Sequence, residues 1–127
     1  MIAADTSTWI AYLEGDAGAD AELLDRALAD RQLVMPHAVL SELLSDPELP
    51  EDVVQLLLEV PLLEARQGYW ERAGRLRARV LARRRKARLG DALIAQICID
   101  HATPLITRDR DFQGFAASAA LDLAVPG

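Results

Sequence analysis

Apolar positions along the chain fall into short runs and helical stripes that alternate from end to end. Met1–Ala4 is an uninterrupted short run and reads as a buried strand. Trp9, Ile10 and Leu13 then recur at helical spacing, and Gly15 closes that helix. Ala19 to Ala29 predicts a second helix, with Leu23, Leu24, Ala27 and Leu28 on its inner face. Gln32–Met35 is a short strand stopped by Pro36, and Ala38–Leu44 is a helix whose surface is apolar apart from Glu42. Pro47 and Pro50 break the chain before a helix over Glu51–Glu59, and Leu62-Leu63 marks a weak strand. The longest helix is expected from Gly68 to Arg88, with Tyr69, Ala73, Leu76, Val80 and Ala87 as its apolar stripe and Gly90 as its breaker. A helix over Asp91–His101, a strand over Pro104–Thr107 and a last strand over Leu121–Val125 complete the pattern. Strands alternating with helices predict an α/β fold, a parallel sheet of about five strands with helices on both faces.

Length and composition narrow this picture. The 127 residues suffice for one domain with a real core, read here as 1–127. With 51% hydrophobic and 27% charged residues the chain has globular composition, which excludes a disordered tail. No apolar run approaches the roughly 18 residues of a membrane span, and no basic start precedes the first apolar residues as in a signal peptide. The lone Cys98 excludes an internal disulfide, and a cytoplasmic location is expected. The net charge of −6 conceals a division: residues 1–65 carry two basic against fourteen acidic side chains, and residues 66–127 carry twelve against six. Thirteen of the fourteen bases are Arg, the side chain best shaped for bidentate phosphate contact. Arg72, Arg75, Arg79, Arg83 and Lys86 line one side of the long helix's stripe, and Arg77, Arg84 and Arg88 the other. Arg72, Arg75 and Arg79 are candidate contacts for nucleic-acid phosphates.

Four acids occupy positions where a merely solvated charge has no need to be. Asp5 and Asp109 end strands, where ligands sit in open α/β sheets. Asp91 opens a helix, and Glu42 lies amid Val39, Leu40, Leu43 and Leu44, where burying an unpaired charge is costly. Carboxylates that converge need a cation, and an all-oxygen set suits Mg²⁺, with Mn²⁺ as substitute. Ordinary explanations stand beside this one. Asp91 suits the helix dipole, Asp109 and Asp111 suit a turn, and Glu42 can lean into solvent. Thr6, Ser7, Thr8 and Thr107 are hydroxyls that either orient these groups or cap helices. His37 and His101 read as structural or exposed, Cys98 and Trp9 as core, and Tyr69 and Trp70 as core before base-stacking groups.

Asp5-Thr6-Ser7, Ser41-Glu42-Leu43, Gly90-Asp91-Ala92-Leu93-Ile94-Ala95 and Thr107-Arg108-Asp109-Arg110-Asp111-Phe112, in that order, resemble the PIN domain family, and within it the VapC-type toxins of toxin–antitoxin pairs. The resemblance spans essentially the whole chain, and the Thr-Arg-Asp-Arg-Asp-Phe motif is its most specific part. It implies a PIN-like fold and a Mg²⁺- or Mn²⁺-dependent endoribonuclease that hydrolyses RNA by metal-activated water. By position it implies Asp5, Glu42, Asp91 and Asp109 as the catalytic and metal-binding acids and Asp111 as an accessory acid; Ser7 and Thr107, read from the residues alone, are candidate accessory hydroxyls. It also implies a homodimer and silencing by a cognate VapB-type antitoxin. His101-Ala102-Thr103-Pro104 departs from the family in lacking the Gly often found before the following strand. A non-catalytic PIN-like module binding RNA or protein, and a housekeeping RNA-processing nuclease, are the alternatives. Receiver-type and haloacid-dehalogenase-type domains fit poorly: Asp5 has no acidic neighbour, and Asp109-Arg110-Asp111 lies at the wrong end of the chain.

Overall fold

The computed structural model describes residues 1–124. Its elements run β1 (Ile2–Ala4), α1 (Thr6–Leu13), α2 (Ala19–Ala29), β2 (Leu33–Val34), α3 (His37–Leu44), α4 (Glu51–Glu59), α5 (Tyr69–Ala82), α6 (Leu89–Asp100), β3 (Leu105–Ile106) and α7 (Phe112–Ser118). The sheet is parallel, in the order β2-β1-β3, with Ala3 opposite Val34 on one side and Leu105 on the other. β1 is therefore central. Its Ala3 and Ala4 are fully buried, as a strand covered on both faces requires.

Three strands replace the expected five. The other two survive as single parallel bridges, Met35 with Leu62 and Leu105 with Leu123. Pro36 and Pro61 have no N–H to offer and flank the first bridge, and α3 begins immediately after Pro36, so the pairing stops after one residue. Val125, the end of the expected last strand, lies outside the described residues.

The long arginine-rich helix is also shorter than its periodicity suggests. α5 ends at Ala82, and a loop carries the chain to Leu89. Arg84 adopts φ 58°, the Arg85 N–H donates to the Val80 carbonyl and the Arg84 N–H to that of Leu81. This is a Schellman termination. Gly90 accordingly lies inside the first turn of α6 and is no breaker. α1, α2 and α6 end in the same way, with Gly15, Arg31 and Ala102 as the left-handed residues. Only α1 uses Gly, which reaches φ 77° without strain. Ala102 lies in the His101–Pro104 segment, where the resemblance noted above leads one to expect a Gly.

α6 is apolar on nearly every side because it is buried on nearly every side. Ala92, Ile94, Ala95, Gln96, Ile97 and Cys98 are inaccessible, packed by α5, α3 and α7. Trp9, Leu24, Met35, Leu57, Leu76, Phe112 and Phe115 join them in one core. Each buried Leu or Ile contributes about 1.5–3 kcal/mol. Trp70, expected in that core, is instead 66% exposed, while its neighbour Tyr69 is buried and donates to the Leu93 carbonyl at 2.6 Å.

Candidate metal centre

The carboxyl end of β1 hands the chain directly to α1, and Asp5 stands at the junction. It is the N-cap of α1, its Oδ1 accepting from the Thr8 N–H at 3.0 Å. Ser7 Oγ reaches both carboxylate oxygens, at 2.8 and 2.9 Å, and Thr107 Oγ1 donates to Oδ2 at 2.6 Å. Asp5 is only 2% exposed, and burial pushes its pKa up against the pull of these donors. The hydroxyls thus orient and do not cap: Asp5 itself caps the helix, and Ser7 and Thr107 orient Asp5.

Thr107 ends the neighbouring strand and does a second job. Its Oγ1 accepts the Asp109 N–H at 2.9 Å, and Asp109 Oδ1 in turn accepts the Asp111 N–H at 2.9 Å. The turn reading of Asp109 and Asp111 is therefore correct, and the turn itself aims both acids inward. Oxygens of Asp91, Asp109 and Asp111 lie within 4.8 Å of one another.

Asp91, on the first turn of α6, completes the convergence. Asp5, Glu42, Asp91 and Asp109 line one cleft of about 200 Å³ with Thr6, Ser7 and Arg88. Asp91 Oδ2 is buried with no hydrogen-bond partner. Desolvation first, then the charges of Asp109 and Glu42, push its pKa up to about 6, with Arg88 opposing and Asp5 adding a little. A buried carboxylate oxygen without a donor, among other carboxylates, has the chemistry to ligate a cation. The donors are all oxygen, as hard Mg²⁺-like ions require. Glu42 is held differently from expectation: it is exposed on α3, and Thr6 Oγ1 donates to its Oε1 at 2.7 Å. It bears no burial cost and reaches the cleft from the rim.

Behind the acids lies a pair that pattern reading misses. Asp20 is 6% exposed and receives a forked contact from Arg108, Nε to Oδ2 at 2.7 Å and a terminal nitrogen to Oδ1 at 2.9 Å. Thr8 Oγ1 also donates to Asp20. These hydrogen bonds, that of Arg108 foremost, hold the Asp20 pKa below the ordinary carboxylate range. The pair fastens the strand end carrying Thr107 and Asp109 to α1 and α2. Gly18 permits it: a Cβ there meets Asp20 Oδ1 at 2.6 Å and Arg108 at 2.9 Å, and φ is 151°. An acid two residues after a Gly was the only available signal.

Of the three candidate RNA contacts, Arg72 is engaged elsewhere. Its guanidinium grips Asp100 at 2.6 and 3.1 Å, so its fork is not available to phosphate as expected. Arg75 and Arg79 are exposed and make no hydrogen bond or ion pair among the described residues. His37 is exposed, and His101 is tied to the Glu64 carbonyl.

Strand order, crossover helices and an acid-lined cleft at the strand carboxyl ends define a small parallel α/β protein built around a cluster of carboxylates. The chain belongs to the PIN domain family, whose model matches residues 2–117. Among solved structures it is similar to a member of the VapBC family of toxin–antitoxin systems, VapBC-5 from Mycobacterium tuberculosis, at 22% identity and a TM-score of 0.65. That match covers 96% of this chain and 95% of the other. Comparison with curated protein sequences returns no match.

Proposed function

We propose that this protein is a Mg²⁺-dependent endoribonuclease, with Mn²⁺ as substitute, and the toxin of a VapBC-type pair. The observation that carries the reading is the convergence of Asp5, Glu42, Asp91 and Asp109 on one cleft, with a buried Asp91 oxygen that no protein donor satisfies. The likeness to a VapBC-family structure supports the toxin assignment.

Asp91 and Asp109 are the principal ligands, Asp5 and Glu42 complete the site, and Asp111 is accessory. A divalent cation held there supplies Lewis acidity toward a phosphodiester and makes water more acidic. The protein's own groups set the rest. Ser7 and Thr107 fix the Asp5 carboxylate, so its orientation is settled before substrate arrives. Thr6 holds Glu42 by Oε1, leaving Oε2 without a donor and available to orient a water. Asp91 is ionised above about pH 6 and so offers full charge at neutral pH. Exposed Arg75 and Arg79 are retained as RNA-backbone contacts. The working form is a cytoplasmic homodimer silenced by a small antitoxin. Exposed Ile10, Leu44, Leu62 and Trp70 offer the apolar surface such partners need. No described helix is long and apolar enough to cross a membrane.

The test is cleavage of a mixed RNA pool with Mg²⁺ or Mn²⁺, comparing the unsubstituted protein, Asp109→Asn and a chelator control. Cleavage lost in both controls is expected. Cleavage surviving Asp109→Asn overturns the assignment of the site.

A further inference from the structure

The loop between α5 and α6 holds six residues, Arg83 to Arg88, five of them cationic. Its side chains divide into two sets. One set fastens the loop. Arg77, from α5, donates to the Ala87 carbonyl at 2.8 Å, and Ala87 itself is buried. Arg83 donates to the Ala117 carbonyl at the end of α7. The stem of Arg85 lies over Gly114, where an added Cβ would meet its Cδ at 3.5 Å.

The other set faces the acids. Lys86 Nζ is 3.7 Å from Asp111 Oδ2, and both side chains are accessible, at 58% and 30%. Arg88 lines the cleft with Asp5, Glu42, Asp91 and Asp109, and its side chain makes no hydrogen bond or ion pair among the described residues. One anchored loop thus presents one cation in the cleft and another beside Asp111. The Arg88 guanidinium acts on Asp91 only through space, without a contact pair to break, and a loosely held, exposed Lys–Asp pair exchanges readily for another anion.

Resting on the nuclease reading, we propose that Lys86 and Arg88 form a phosphate clamp that holds the backbone of single-stranded RNA across the acidic cleft. Polyanion entering this cleft meets four converging carboxylates, with Asp111 beside them, so cations must sit nearby for the strand to lie there. Arg88 takes a phosphate at the cleft by a forked contact, and Lys86 leaves Asp111 for a neighbouring phosphate. The contacts are to backbone alone, so the clamp adds affinity without choosing a base sequence.

The experiment measures binding of a labelled single-stranded RNA pool against salt concentration, in an Asp109→Asn background that blocks cleavage. Lys86→Gln with Arg88→Gln is compared with Arg26→Gln, an exposed control on α2, and with Lys86→Arg. Circular dichroism checks that each is folded. The clamp predicts that the slope of log affinity against log salt flattens by about 0.7 per cation removed, that Lys86→Arg keeps the slope, and that Arg26→Gln leaves it unchanged. An unchanged slope in the double variant overturns the clamp, as does equal flattening by Arg26→Gln. Cleavage of the same pool by the protein with Asp109 intact is scored separately, so loss of the clamp and loss of the nuclease reading are told apart.

Discussion

Thr107 Oγ1 donates to Asp5 Oδ2 at 2.6 Å, joining residues 102 positions apart, and the same oxygen accepts the Asp109 N–H. One hydroxyl therefore sets the spacing of two site acids borne by adjacent strands. Thr107→Val keeps the shape and removes both bonds. Leaving a buried carboxylate short of a donor should cost about 1–3 kcal/mol, measured by chemical denaturation, and cleavage should fall with it. Thr107→Ser should restore most of both.

Asp91 should show a trade of stability for function. Its pKa is raised to about 6, so between pH 4 and 6 the folded state holds a proton that the unfolded state has released. Stability contributed by this group therefore falls as pH rises through that window, and the deficit is complete above it. In metal-free protein, Asp91→Asn should add about 1–2 kcal/mol at pH 7, solvent screening of this half-buried group trimming the full linkage value, and nothing below pH 4, while abolishing cleavage. Thermal melts of both proteins at pH 4 and pH 7, with chelator, check this.

The Asp20–Arg108 pair has the opposite sign. The Asp20 pKa is depressed, so its contribution is fully present above the unfolded value near pH 4 and is lost as pH falls through the folded value. Arg108→Met strands a carboxylate that is 6% exposed, and about 1–3 kcal/mol of destabilisation at pH 7 is expected, shrinking under acid. Gly18→Ala should injure the same pair sterically. Its melting temperature should fall even though no charge has changed.

Left-handed residues other than Gly close three helices. Ala102, at φ 49°, is exposed, so its Cβ strain is not offset by packing. Ala102→Gly should stabilise the protein by about 0.5–1 kcal/mol with unchanged cleavage. A lower denaturation midpoint would contradict this.

Most of the fold was legible because it rests on local signals. Apolar runs locate the central strands, and Asp5, Asp91 and Asp109 stand out at element ends, where few other residues compete for attention. What escaped depends on distance or on exceptions. Residues 83–88 continue the helical charge pattern in sequence, yet Arg84 turns left-handed and ends the helix. Leu62 and Leu123 look like strand residues but find only one bridging partner each. Glu42 seemed costly because its neighbours are apolar, although α3 turns it toward solvent and Thr6. Arg72 looks free until Asp100, 28 residues on, is placed beside it. Asp20 and Arg108 lie 88 residues apart, and no periodicity connects them.

Asp5 begins α1 as well as lining the cleft. Truncating it to Ala is expected both to disarm the proposed site and to fray the helix that carries Thr6 and Ser7, so such a variant confounds lost chemistry with lost architecture. Anyone producing an inert form for crystallography or for trapping a bound strand should work at Asp91 instead, where the inactive protein is expected to be the sturdier one.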